Sequence, residues 1–96
     1  MLRKRKFAKE NLVKVTFSLP ADVARESVRV VGEFNDWEGI RLPRQKDGTW
    51  KTTVALTPGR QYEFRYLIDE ERWMNDPAAD RYARNPFGDD NSVIET

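Results

Sequence analysis

The chain contains no cysteine and no histidine among its 96 residues. Without cysteine there is neither a disulfide framework nor a thiolate metal site. Without histidine the usual general base near neutral pH, the Ser-His and Cys-His nucleophile pairs and the commonest zinc ligand are also missing. No apolar run approaches the roughly 18–20 residues of a membrane span. No secretory signal is expected either, because Phe7-Ala8-Lys9-Glu10 interrupts any apolar stretch after the basic start, so a cytoplasmic location is the expectation. Periodic helical patterning is scarce: Ala21–Glu26 offers one helical turn at most.

What is present reads as one small globular domain, since two cores of this size would each be too small to stand alone. Apolar residues make up 39% and charged residues 34% of the chain, a folded rather than a disordered balance. The net charge of +1 is unevenly spread. Residues 1–10 hold Arg3, Lys4, Arg5, Lys6 and Lys9 against Glu10, a net +4; the other 86 residues hold 12 basic and 15 acidic groups, a net −3. Each basic side chain could neutralise one nucleic-acid phosphate. A short basic head on a slightly acidic body reads instead as a solvated tail, so residues 1–11 are set apart as a basic N-terminal segment and nucleic acid is not the expected partner.

From residue 12 the period is that of strands. Val13, Val15, Phe17 and Leu19 alternate with Lys14, Thr16 and Ser18, and Pro20 ends the run. Ser27–Phe34 is a second β-rich segment, followed by the Asn35-Asp36 turn and Trp37. The Asp47-Gly48 pair predicts a hairpin between a strand near 41–46 and one over 49–56, in which Trp50, Thr52, Val54 and Leu56 share a face. Thr57-Pro58-Gly59 turns into Gln61–Ile68, with Tyr62, Phe64, Tyr66 and Ile68 on one side and Gln61, Glu63, Arg65 and Leu67 on the other. Asp69-Glu70-Glu71 is an acidic turn before Trp73. From Asn75 to Asn91 the residues are those of loops, and Ser92–Thr96 closes as a strand. About seven short strands separated by turns predict an antiparallel β-sandwich of immunoglobulin-like type.

Trp50 is in phase with apolar neighbours and belongs in the core. Trp37 and Trp73 lie at loops or strand ends, and two readings stay open for them. Either they fold back to cap the sandwich, or they are exposed and a ligand covers them. A sugar ring suits the second reading: a flat indole covers its apolar C–H face, while amide, carboxylate and guanidinium groups meet its hydroxyls. Arg65, Asp89 and Asn91 supply such groups nearby. Catalysis is not expected. The acidic residues sit in turns, where solvation keeps them ionised, whereas a glycosidase needs two carboxyl groups about 5–10 Å apart with one raised pKa. Asp89-Asp90-Asn91 lacks the spacing of a dedicated calcium site, and no cofactor or metal is expected.

Four ordered motifs carry a resemblance: Val30-Val31-Gly32-Glu33-Phe34-Asn35-Asp36-Trp37, Tyr62-Glu63-Phe64-Arg65-Tyr66-Leu67-Ile68-Asp69, Trp73-Met74-Asn75-Asp76-Pro77 and Phe87-Gly88-Asp89-Asp90-Asn91-Ser92-Val93. From about residue 12 to the end, the chain resembles the family 48 carbohydrate-binding module. That family includes the glycogen-binding domain of the AMP-activated kinase β subunit and the early-set domain of isoamylases and branching enzymes. The resemblance implies an all-β early-set sandwich over 12–96 that binds α-1,4-glucans such as glycogen, starch or maltooligosaccharides. Carried across by position, it implies stacking tryptophans at Trp37 and Trp73 and a basic residue at Arg65. Phe87 falls where the family has a leucine, Asp89 where it has a threonine, and Asn91 keeps the hydrogen-bonding asparagine. The alternative reading is an early-set interaction or structural module associated with a glucan-metabolising enzyme.

Overall fold

The computed structural model describes residues 1–96. Its strands are β1 (Leu2–Phe7), β2 (Leu12–Leu19), β3 (Val28–Gly32), β4 (Ile40–Arg41), β5 (Trp50–Leu56), β6 (Gln61–Ile68), β7 (Arg72–Met74), β8 (Arg81–Arg84) and β9 (Asp90–Glu95). They form two antiparallel sheets, β1-β2-β5 and β4-β3-β6-β9-β8, with β7 pairing on β6. The alternation of β2 decides its orientation: Val13, Val15, Phe17 and Leu19 are all buried and face the second sheet. Phe64, Tyr66 and Ile68 of β6 answer from the other side. Phe17 sits at the junction, its ring 5.2 Å from Phe64, 5.6 Å from Phe34 and 6.3 Å from Tyr66. Each such side chain contributes roughly 1.5–3 kcal/mol by leaving water, so these few residues hold the two sheets together. The expected all-β sandwich is what the chain forms, with nine strands rather than about seven.

Trp50 is buried as its phase predicts; its Nε1 donates to the Ala21 carbonyl at 3.4 Å, and the Arg44 guanidinium lies 5.0 Å from the ring centre. A second buried group is polar. The fully buried Asp76 accepts a 2.5 Å hydrogen bond from the Tyr66 hydroxyl, and its own N–H donates to Ser92 Oγ at 2.9 Å. Burial first, and the Asp76 carboxylate second, push the Tyr66 phenol far above its ordinary pKa, so it stays a donor. This knot ties the segment after β7 to β6 and β9.

Three expectations need correction. Residues 2–7 are not a solvated tail but an edge strand, paired with β2 from Leu2↔Phe17 to Phe7↔Leu12. The pairing is made by backbone groups, and Lys4 adds an anchor by donating to both Asp80 carboxylate oxygens, at 2.7 and 2.8 Å, and to the Glu95 carbonyl at 3.1 Å. The strand before the Asp47-Gly48 turn is the short β4, which pairs with β3 in the other sheet. The chain crosses between sheets at the buried Leu42, and only an Arg44↔Trp50 bridge remains of the expected hairpin partner of β5. Within the stretch expected to be loop, β8 pairs with β9. Three of its four residues are exposed, so no apolar alternation betrays it.

Candidate functional site

The outward face of β6 carries Glu63 and Arg65, opposite in phase to the buried Phe64 and Tyr66. Three segments bring further side chains over it.

The first is the turn after β3. Gly32 lies so close to β6 that a Cβ there would stand 2.7 Å from the Glu63 carbonyl oxygen and 2.8 Å from Phe64 Cβ, so glycine is required by contact. Asn35 then acts as the internal brace of the turn. Its Oδ1 accepts from the N–H groups of Gly32 (3.0 Å) and Gly39 (3.4 Å), and its Nδ2 donates to the Val30 carbonyl at 3.0 Å. Asp36 and Trp37 follow with φ of 54° and 61°, a left-handed pair that is costly for a bulky side chain. The outcome is a Trp37 ring held away from the core, 44% exposed.

The second segment is the Asp69-Glu70 turn, whose central residues have φ of 52° and 60°. The Glu71 N–H donates to the Ile68 carbonyl at 3.1 Å, and β7 returns along β6 with Trp73 paired to Leu67. The Asp69 carboxylate fixes this turn by accepting from the N–H groups of Arg25, Glu26 and Ser27. Trp73 is 48% exposed, and the Arg65 guanidinium lies 5.4 Å from its ring centre.

The third is the loop between β8 and β9. Asn85 Oδ1 accepts from the N–H groups of Phe87 (2.9 Å) and Asp89 (3.1 Å), while the Asn85 N–H donates to the Asp89 carbonyl at 2.7 Å. This small closed loop thrusts Phe87 into solvent, 90% exposed.

Between the three lies an open groove of about 560 Å³, the scale of a small-molecule site. Its floor is a chain of hydrogen bonds. Asn85 Nδ2 donates to Asn91 Oδ1 at 3.2 Å, Asn91 Nδ2 to Glu63 Oε1 at 3.2 Å, and the Glu63 N–H to Glu33 Oε1 at 2.6 Å. Arg65 Nε is buried and makes no hydrogen bond. Of the residues expected from the sequence, the fold brings Trp37, Arg65, Trp73, Phe87 and Asn91 together along this groove. Asp89 does not line it; the residue closes the Asn85 loop through its backbone. Glu33, Glu63, Asn85 and Pro86 also line it and were not singled out. The outward phase of Glu63 beside Arg65 was the signal available for one of them. Chemically the groove offers flat apolar rings flanking fixed carboxylate, amide and guanidinium groups, which is what a polyol with apolar ring faces requires.

Comparison with known proteins agrees with this chemistry. The sequence model of one family, described as the glycogen recognition site of AMP-activated protein kinase, matches residues 11–96. The 1,4-alpha-glucan branching enzyme GlgB of Rhodopirellula baltica is 38% identical over 71 residues, covering 68% of this chain and 10% of that enzyme. GlgB 2 of Rhizobium johnstonii is 39% identical over 74 residues, covering 73% of this chain and again 10% of the enzyme. The chain thus spans about a tenth of the length of these curated relatives. Among solved structures, the ferric enterobactin esterase of Salmonella typhimurium is similar with a TM-score of 0.76 over 99% of this chain and 34% of the esterase. Sequence identity there is 13%, so that likeness concerns the fold. Matched over nearly its whole length, the chain belongs to the glycogen-recognition family of carbohydrate-binding modules, the family 48 modules that its motifs resemble.

Proposed function

We propose that the groove on β6 holds an α-1,4-glucan, with Trp37 and Trp73 stacking on successive sugar faces and Phe87 offering a third ring. Arg65, Glu63 and Asn91 take the hydroxyl rim. The observation that carries this reading is the convergence of two half-exposed indoles on one groove with a hydrogen-bonded polar floor. Exposed rings of this size cost apolar hydration, and a stacked ligand recovers it. The domain binds and does no chemistry: the groove is open, and both of its carboxylates are engaged, Glu33 with a backbone N–H and Glu63 with the Asn91 amide. A glucan-metabolising enzyme is the natural host or partner, since the branching enzymes it resembles contain the matching stretch as a tenth of their length.

The test is a calorimetric titration with maltoheptaose, followed in parallel by tryptophan fluorescence. Stacking by two or three rings must offset lost ligand freedom and the desolvation of many hydroxyls, so micromolar to millimolar affinity is expected. It should change little with salt, because the ligand is neutral. No heat and no fluorescence change at millimolar maltoheptaose or with glycogen would overturn the proposal.

A further inference from the structure

The face of the sandwich turned away from the groove is the outer face of β1-β2-β5. Strand register places Arg3 beside Thr16 and Thr53, and Arg5 beside Lys14 and Ala55. Phe7 lies in the same plane, and no outward residue of these three strands is acidic. Arg3, Arg5 and Lys14 are exposed, and none takes part in an ion pair. Lys51, at the margin, already shares its field with Asp47.

Arg5 stands directly across from Lys14, and like charges in that relation destabilise an antiparallel pair. Both lean on the Phe7 ring, 5.2 and 4.8 Å from its centre, which eases the repulsion without neutralising it. Basic side chains commonly guard an edge strand against edge-to-edge pairing. That accounts for β1. It does not account for Lys14 on the central strand β2, nor for a face of one sign.

We propose that this face docks an acidic, extended polypeptide segment, added as a further strand along the free edge of β1, while the groove on the opposite face stays open for its glucan. In an added strand, side chains two residues apart stand on one face about 6–7 Å apart, the same spacing as Arg3 and Arg5. Carboxylates at alternate positions then meet both guanidinium groups, and the backbone supplies the affinity. Lys4 is not part of this surface, being held by Asp80. A nucleic acid fits less well. The face has no helix or ribbon for a duplex groove, and its one ring is covered by two cations, leaving no platform for stacked bases.

The experiment titrates the intact chain with a short synthetic peptide alternating glutamate and threonine, at low and at physiological salt, with amide exchange as the second readout. Binding should saturate, weaken at least about tenfold as salt rises, and slow exchange at β1 amides. The double variant R3E/R5E should lose at least about tenfold in affinity while still binding maltoheptaose like the parent. It should fold, because R5E places an opposite charge across from Lys14; R3Q/R5Q is the neutral control with the same expected direction. The proposal is overturned by any of four results: no peptide binding, undiminished binding by both variants, protection confined to strands other than β1, or tighter binding of a single-stranded oligonucleotide or an anionic vesicle than of the peptide.

Discussion

The guanidinium of Arg65 lies 5.4 Å from the centre of the Trp73 ring, so a side chain of β6 props an indole carried by β7. A cation over an aromatic face contributes about 0.5–1 kcal/mol at an exposed site, too little to hold the fold but enough to orient one ring. Arg65→Ala should therefore lower maltoheptaose affinity by about tenfold and leave the denaturation midpoint nearly unchanged. Arg65→Lys keeps the charge without the planar stack and should fall between the two. Trp73→Ala should remove most of the affinity. Calorimetry reads all three, and an unaltered affinity for Arg65→Ala would mean the guanidinium neither positions Trp73 nor meets the sugar.

The tryptophans should separate stability from binding. Trp50 is 5% exposed, and truncating such a ring costs roughly 3–5 kcal/mol. Trp37 is 44% exposed on a turn held together by Asn35, so Trp37→Ala should cost about 1 kcal/mol or less while weakening maltoheptaose binding. Urea denaturation of the two variants checks this. Equal losses would show that Trp37 is a structural residue.

The core was legible because strand period is a simple signal: Val13, Val15 and Phe17, then Phe64, Tyr66 and Ile68, alternate cleanly and are all buried. Most of the candidate site was legible through the four motifs that carry the family resemblance, the stretch from Val30 to Trp37 among them. Segments held by distant partners were not. β1 runs Arg3-Lys4-Arg5-Lys6 with no apolar alternation, and its side-chain anchor, Asp80, lies 76 residues away. β8 is a polar edge whose Tyr82 hydroxyl donates to the Asp76 carbonyl at 2.5 Å, a contact no local pattern encodes. Glu33 was hidden for a related reason. It reaches the groove only because the turn after β3 folds against β6, where its carboxylate meets the Glu63 N–H.

The docked β1 reverses the expectation for a tail. Deleting residues 1–7 should lower the melting temperature markedly, since β2 loses its register of paired backbone groups and Lys4 no longer bridges to Asp80, the residue that leads into β8 of the other sheet. Lys4 and Asp80 are both partly buried, so a double-mutant cycle of Lys4→Ala with Asp80→Ala should give a coupling of about 1 kcal/mol. A deletion that melts like the parent, or a cycle with no coupling, would return these residues to the status of a tail.

Acid should loosen the site through Asp69. Three backbone N–H groups, led by that of Glu26 and followed by those of Arg25 and Ser27, hold its carboxyl below the ordinary value of 3.8, with Arg72 adding to the effect. Asp80 is shifted the same way: burial opposes its charge, but the Glu95 N–H and the Lys4 ammonium outweigh it. Because the folded-state values are depressed, the unfolded chain binds more protons in the interval between the two, and stability rises with pH there. The contribution is complete above the ordinary carboxyl range and is lost as pH falls through the lower folded-state values. Asp69→Asn removes the titrating group and should flatten the acid limb of a plot of urea midpoint against pH, at the cost of lower stability near neutrality. The turn it braces leads directly into Trp73, so maltoheptaose binding by the parent should weaken over the same acid interval, before the whole domain unfolds. An acid limb for Asp69→Asn that runs parallel to the parent's would show that this carboxylate is not what the acid attacks.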